Sequence, residues 1–148
     1  MSVAAVAAPI LIPQEIADAL LVHARHALPN EACGLLAGDA SSGRVRRFHP
    51  TRNEHASPYR FSVDPRDLVR LTYAMEADGD ALVAVFHSHP RGEPRPSATD
   101  LREARYPMAL HVLAGRPFPR ATDGNAEWSL RAWRIADGDL AEVPITVP

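Results

Sequence analysis

The segment VAVFHSHPRGEPRPSATD, residues 83–100, constrains this chain more than any other stretch. Val83, Ala84, Val85 and Phe86 form an unbroken apolar run that predicts a buried strand, with His87 and His89 at its exit. Side chains two apart in a strand project to the same side, so the two imidazoles converge without help from the rest of the fold. Three prolines, Pro90, Pro94 and Pro96, stiffen the loop leading to Ser97 and Asp100. A stiff loop loses less entropy in holding its return. Two imidazoles and one carboxylate are a donor set used by catalytic Zn²⁺, with a fourth position left for water. Each part also has a plainer reading. An H-x-H can be a polar strand end, and Ser97-x-x-Asp100 is a respectable capping box. A helix start can serve both purposes, because a capped turn presents Asp100 in a fixed direction.

With 148 residues, the chain has the length of about one domain. An apolar fraction of 46% is enough to bury a core, and a net charge of -2 gives no reason to expect nucleic-acid or membrane attraction. All 16 basic residues are arginine, which excludes a lysine Schiff base. The single cysteine, Cys33, excludes an intramolecular disulfide and any zinc site built on two or four cysteines. A reducing cytoplasm is the expected setting. The N-terminal MSVAAVAAPILIPQE lacks a positive leader region and its apolar stretch is short, so neither a signal peptide nor a membrane span is expected.

Periodicity and punctuation predict the order β-α-β-β-α-β-α-β-β-β. Residues 8–12 suit a short strand. Pro13 suits the first position of a helix whose stripe is Ile16, Leu20, His23 and Ala27, stopped by Pro29. Residues 33–37 and 43–48 suit an antiparallel pair joined by a turn at 39–42. Asp64 suits an N-cap, with Pro65 in the first turn, Asp67 completing a box-like start, and Leu68, Leu71 and Met75 on one face up to Gly79. The strand 81–86 follows, then a short helix from Ser97 to about Arg105, and a buried strand at 109–114. A terminal hairpin joins 128–135 to 140–147 around Asp137-Gly138. This mixture predicts a sheet with at least one parallel crossover and helices packed on it. The polar stretch 116–125 reads as disordered or as the border of a groove.

Hydrolysis at a metal also needs a carboxylate to collect and return a proton. Glu31, just before the apolar run in NEACGLLAG, is the better candidate, although alone it reads equally as a solvated strand start. Glu93 in the proline-rich loop is the rival, and a mobile loop positions a base poorly. Ser97 suits either a cap or a hydrogen-bond donor to an oxyanion. Cys33 reads best as a small buried hydrophobe. His23, His26, His49, His55 and His111 lack ligand partners in sequence and read as surface or packing residues.

Taken together, Glu31, His87-Ser88-His89-Pro90 and Ser97-x-x-Asp100 resemble the signature of the JAMM (MPN-plus) zinc metalloproteases, and the likeness runs from about Ile12 to Ile135. The resemblance implies a single α/β domain over residues 1–148, with the cytidine-deaminase-like α/β/α fold and a mixed sheet. It implies one Zn²⁺ held by His87, His89 and Asp100, with Glu31 as general acid/base and Ser97 as the stabiliser of the intermediate. It also implies cleavage after the C-terminal Gly-Gly of a ubiquitin-like protein. EACGLLAG, SPYRF, the HSHP loop and WRIADGDLAEVPITV are similar to a bacterial subgroup that releases cysteine from small sulfur-carrier proteins. The expected partner is therefore such a carrier, not nucleic acid or membrane. Three other readings stay open: a general deubiquitinase-like isopeptidase, a RadC-like DNA-associated protein and a non-enzymatic binder of ubiquitin-like proteins. The RadC-like reading is weakened by the small net charge and by the lack of room for an additional helical domain.

Overall fold

A computed structural model describes residues 8–116 and 127–148. The elements are β1 (Ile10–Leu11), α1 (Gln14–Ala27), β2 (Cys33–Asp39), β3 (Arg44–Thr51), α2 (Pro65–Asp78), β4 (Ala81–His89), α3 (Ala98–Glu103), β5 (Leu110–Gly115), β6 (Ser129–Ala136), β7 (Asp139–Val143) and β8 (Ile145–Thr146). The strands form one sheet of eight in the order β7-β6-β5-β4-β2-β3-β1-β8. β4 and β5 run parallel, with α3 in the connection between them. β2 pairs antiparallel with both β3 and β4. Among the described residues, no helix is long and apolar enough to cross a membrane.

The central strands are covered on both faces, which is why CGLLAG and LVAVF read as continuous apolar runs rather than alternations. On one face Leu36, Ala84, Phe86, Val112 and Ala114 pack with Ala17, Leu20 and Ala24 of α1. On the other, Cys33, Leu35, Ala37 and Val85 pack with Leu71 and Met75 of α2. The layers are therefore α/β/α, as expected from the sequence. α2 also starts and stops where its punctuation predicts. The Asp64 side chain accepts the Arg66 N–H, Pro65 opens the helix, and Gly79 ends it at φ 71°, a left-handed value that costs glycine little.

Several details differ from the sequence expectation. Pro13 is the N-cap of α1, not its first residue, and the buried stripe is Ala17, Leu20 and Ala24. Small alanines let the helix axis approach the sheet, so His23 slides to the edge of the contact. Its Nε2 lies 2.9 Å from the Cys33 carbonyl, and its ring meets Phe48 edge-on. Asp67 does not complete a capping box. It accepts the Arg52 N–H at 2.9 Å and grips the Arg52 guanidinium with both oxygens, tying α2 to the end of β3. α3 ends at Glu103, two residues short of Arg105.

The terminal hairpin forms at Asp137-Gly138, but its second strand stops at Val143. Pro144 has no N–H to give to a ladder. The chain then crosses to β1, with which β8 pairs in parallel. β7 and β8 lie at opposite ends of the sheet order, one residue apart in sequence. The sheet therefore curls until its ends meet, and Val143 joins Ile10 and Ile12 in the core beside α1.

Candidate active site

Strand register brings the functional side chains together. Cys33 lies opposite His87 across β2 and β4, and extending that antiparallel register by two places Glu31 opposite His89. With a period of two, Glu31, His87 and His89 all project to the α2 face. The Ser88 N–H donates to the Ala32 carbonyl at 3.0 Å, and the Ser88 hydroxyl accepts the Ala32 N–H at 2.8 Å. These bonds clamp the Glu31 segment to the end of β4. The loop after β3 holds Glu31 from its other side. The Glu31 N–H donates to the Ser57 carbonyl at 2.8 Å, and Asn53 Nδ2 donates to the Glu31 carbonyl at 3.2 Å.

Asp100 arrives through the helix start. The Ser97 hydroxyl accepts the Asp100 N–H at 3.1 Å, and Asp100 Oδ2 accepts the Ser97 N–H at 2.8 Å. The capping box thus also turns the Asp100 carboxylate toward the two histidines. Asp100 Oδ2 lies 3.1 Å from Nε2 of both His87 and His89. One donor atom from each of Glu31, His87, His89 and Asp100 lies within 4.8 Å of the others.

This donor set fits zinc. Ligand atoms arranged tetrahedrally about 2.0–2.1 Å from one ion sit about 3.3 Å apart, close to the two 3.1 Å separations here. His89 Nδ1 donates to the Glu93 carbonyl at 2.8 Å, which fixes the tautomer and leaves the Nε2 lone pair for the ion. Phe61 stacks on His87 with ring centroids 4.2 Å apart and holds that imidazole flat. Glu31 Oε1 is buried with no hydrogen-bond partner. An orphaned group of this kind costs about 1–3 kcal/mol, and a water or ion in the cluster relieves it.

Charge follows from burial and contact. Burial pushes the Glu31 carboxyl up to about 8, against the pull of His89 and with the help of Asp100. Burial also works against the Asp100 carboxylate, but hydrogen bonds with His87 and His89 outweigh it and hold the group well below the usual range. Burial lowers His87, so its ring is neutral, the form that binds metal. For His89, burial is outweighed by its bonds to Asp100 and to the Glu93 carbonyl, and the net shift is upward. Cys33 is buried against Thr51 Oγ1, and burial pushes its thiol up to about 11, which agrees with the small-hydrophobe reading. His111 is buried too, pushed down to about 4, and lines a small cavity with His87, Asp100 and Tyr106.

The rival base, Glu93, has an exposed side chain and stays outside the cluster, contributing only its carbonyl. Sequence reasoning missed the residues that hold its loop. Trp133 Nε1–H donates to the Pro94 carbonyl at 2.8 Å, and the Arg116 Nε–H donates to the Pro90 carbonyl at 3.1 Å. Gly115 lies directly beneath the loop: a Cβ there would meet Pro94 N at 2.4 Å and the Gly92 carbonyl oxygen at 2.6 Å. These contacts are all backbone atoms of that one loop, so no flexible side chain can yield and the loop itself must shift. Gly115→Ala is expected to lift the loop, to lower stability by about 1–3 kcal/mol and to weaken zinc binding through His89. Thermal unfolding and a zinc titration against a competing chelator check both effects. The stretch 116–125 lies outside the described residues apart from Arg116, which does border the cleft.

Donor atoms close enough to share one ion, including a buried carboxylate, and an open cleft beside them have the chemistry of a zinc-dependent hydrolase centre. The chain matches the family described as prokaryotic homologs of the JAB domain over residues 13–136. It is 35% identical over 138 residues to the CysO-cysteine peptidase of Mycobacterium tuberculosis, covering 93% of this chain and 90% of that one. It is 39% identical over 101 residues to the desampylase of Haloferax volcanii, covering 65% of this chain and 73% of that one. The solution structure of protein DSY2949 from Desulfitobacterium hafniense superposes with a TM-score of 0.80 at 33% identity, over 92% of this chain and 90% of that one. The chain belongs to the prokaryotic JAB-domain family of JAMM-type metalloproteases.

Proposed function

We propose that this chain is a single-domain cytoplasmic peptidase that hydrolyses the bond following the C-terminal Gly-Gly of a small ubiquitin-like sulfur-carrier protein and releases cysteine. One observation carries the reading: the cluster of Glu31, His87, His89 and Asp100 meets an open cleft of about 500 Å³ bordered by Glu31, His89 and Ser97. The CysO-cysteine peptidase, similar over nearly its whole length, supports the choice of substrate.

His87, His89 and Asp100 would hold the zinc. When bound, zinc polarises the scissile carbonyl and acidifies a water. Glu31 takes the proton of the attacking water and returns it to the leaving amine. Its place in the cluster suits the task, because a nearby dication favours the ionised carboxylate, the form that can accept the proton. Ser97 spends a lone pair on the Asp100 N–H, and its own proton remains to donate to the oxyanion. Leu28, Pro29, Pro58 and Tyr59 line the cleft as well. An extended glycine tail passes such walls where larger side chains would clash.

The test is to incubate zinc-loaded protein with a carrier ending in Gly-Gly-Cys and to weigh the products. The expected result is loss of one cysteine residue and a carrier ending in Gly-Gly. An unchanged carrier mass with one zinc bound per chain would refute the substrate assignment.

A further inference from the structure

Besides the cluster, the residues that line the cleft include two arginines, Arg91 and Arg116. Among the described residues that line it, the only carboxylate is Glu31, which is committed to the proton. Among the described residues neither arginine forms an ion pair. Arg116 is held in place before any ligand arrives. Its Nε–H bonds to the Pro90 carbonyl at 3.1 Å, and its guanidinium stacks 4.9 Å from the centre of the Trp128 ring. These contacts use one edge nitrogen and one face. Pro90 directly follows His89, so the fork is anchored to the residue next to a proposed metal ligand. A guanidinium held in place, with no ion pair among the described residues, suits a carboxylate, because its parallel N–H groups match two carboxylate oxygens.

The substrates open to this site differ in what lies near the scissile nitrogen. The carrier tail brings only neutral amides. An isopeptide bond leads into the methylenes of a lysine side chain. A single amino acid joined through its α-amino group carries its carboxylate on the carbon bonded to that nitrogen. We propose that Arg116, with Arg91 on the same cleft, binds the free α-carboxylate of the departing amino acid and so selects terminal amino-acid conjugates over isopeptides. This inference rests on the peptidase reading above and names its leaving group.

The experiment uses one carrier in two forms, ending in Gly-Gly-Cys with a free acid or with a carboxamide, and compares kcat/KM on zinc-loaded protein. A charge-assisted pair corresponds to a preference of at least about tenfold for the acid, chiefly in KM. In Arg116→Gln the preference collapses to within about twofold, and Arg116→Lys restores part of it. The ratio is measured on the same protein, so a loop disturbed by loss of the Pro90 bond lowers both rates without changing it. Equal rates in the wild type overturn the inference while leaving the peptidase reading intact. A ratio that survives in Arg116→Gln also overturns it, since the arginine then only props the loop. If neither form is cleaved, the peptidase reading fails and takes this inference with it.

Discussion

Glu31→Gln is expected to keep one zinc per chain and to lower kcat on the carrier conjugate by about 10²–10⁴-fold, the usual worth of a positioned general acid/base. Glutamine has nearly the same shape but cannot carry a proton between water and leaving amine. The three groups nearest one another, His87, His89 and Asp100, are untouched by the change, so metal content by elemental analysis should hold. The variant should also bind the carrier as well as the wild type does. Retained turnover would move the base elsewhere, with Glu93 as the first residue to examine. Loss of zinc would make Glu31 a ligand instead. Retained partner-dependent activity in a cell, with hydrolysis abolished, would favour the binding-module reading.

The site was legible because its chemistry is carried by short-range geometry. An apolar run ending in His-x-His fixes two imidazoles on one face by strand period alone, and Ser97-x-x-Asp100 fixes the carboxylate by capping. Glu31 was harder, since its sequence neighbourhood equally suits a solvated strand start. What decides its position is the pairing of Cys33 with His87, a contact between residues far apart in the chain. The supports were illegible for the same reason. Nothing local to Trp133, Gly115 or Arg116 reports that a loop from another strand lies across them. SPYRF was noticed only as a similar segment. The fold gives it work: the Ser57 carbonyl holds the Glu31 backbone, Tyr59 lines the cleft and Phe61 stacks on His87.

The misreadings are tertiary too. The hairpin around Asp137-Gly138 reads in sequence with 140–147 as one strand, yet Pro144 permits a switch of partner, and a two-residue pairing joins β8 to β1. In α1 the apolar period fitted more than one stripe. Packing chose the stripe in which Ala17 and Ala24 flank Leu20, because the helix must lie close to β3, β4 and β5.

Stripped of zinc, the protein should lose stability as pH rises from about 6.5 to 8, opposite to the usual behaviour of a paired carboxylate. The sign follows from Glu31. Its folded-state carboxyl sits at about 8 against an ordinary 4.5, so between these values the folded chain holds a proton that the unfolded chain has released. Stability then falls with rising pH, by about 1.4 kcal/mol per unit while the difference is complete. Below pH 6.5 the effect is masked. His87 and His111 are depressed by burial, so the unfolded chain takes up protons there that the folded chain refuses, and stability rises with pH. Above 6.5 the opposing share of those two histidines fades as the unfolded chain loses its protons, while Glu31 and the raised His89 both act downward. From pH 6.5 to 8 the Glu31 share amounts to about 2 kcal/mol. Glu31→Gln removes that share, so its advantage over the wild type should widen across the window in urea titrations of chelated protein. Zinc should erase the slope, because a nearby dication reverses the preference of the carboxyl for its proton. A wild-type stability that climbs from pH 6.5 to 8 without metal would mean that Glu31 is ionised in the empty site, and its burial would then need a different explanation.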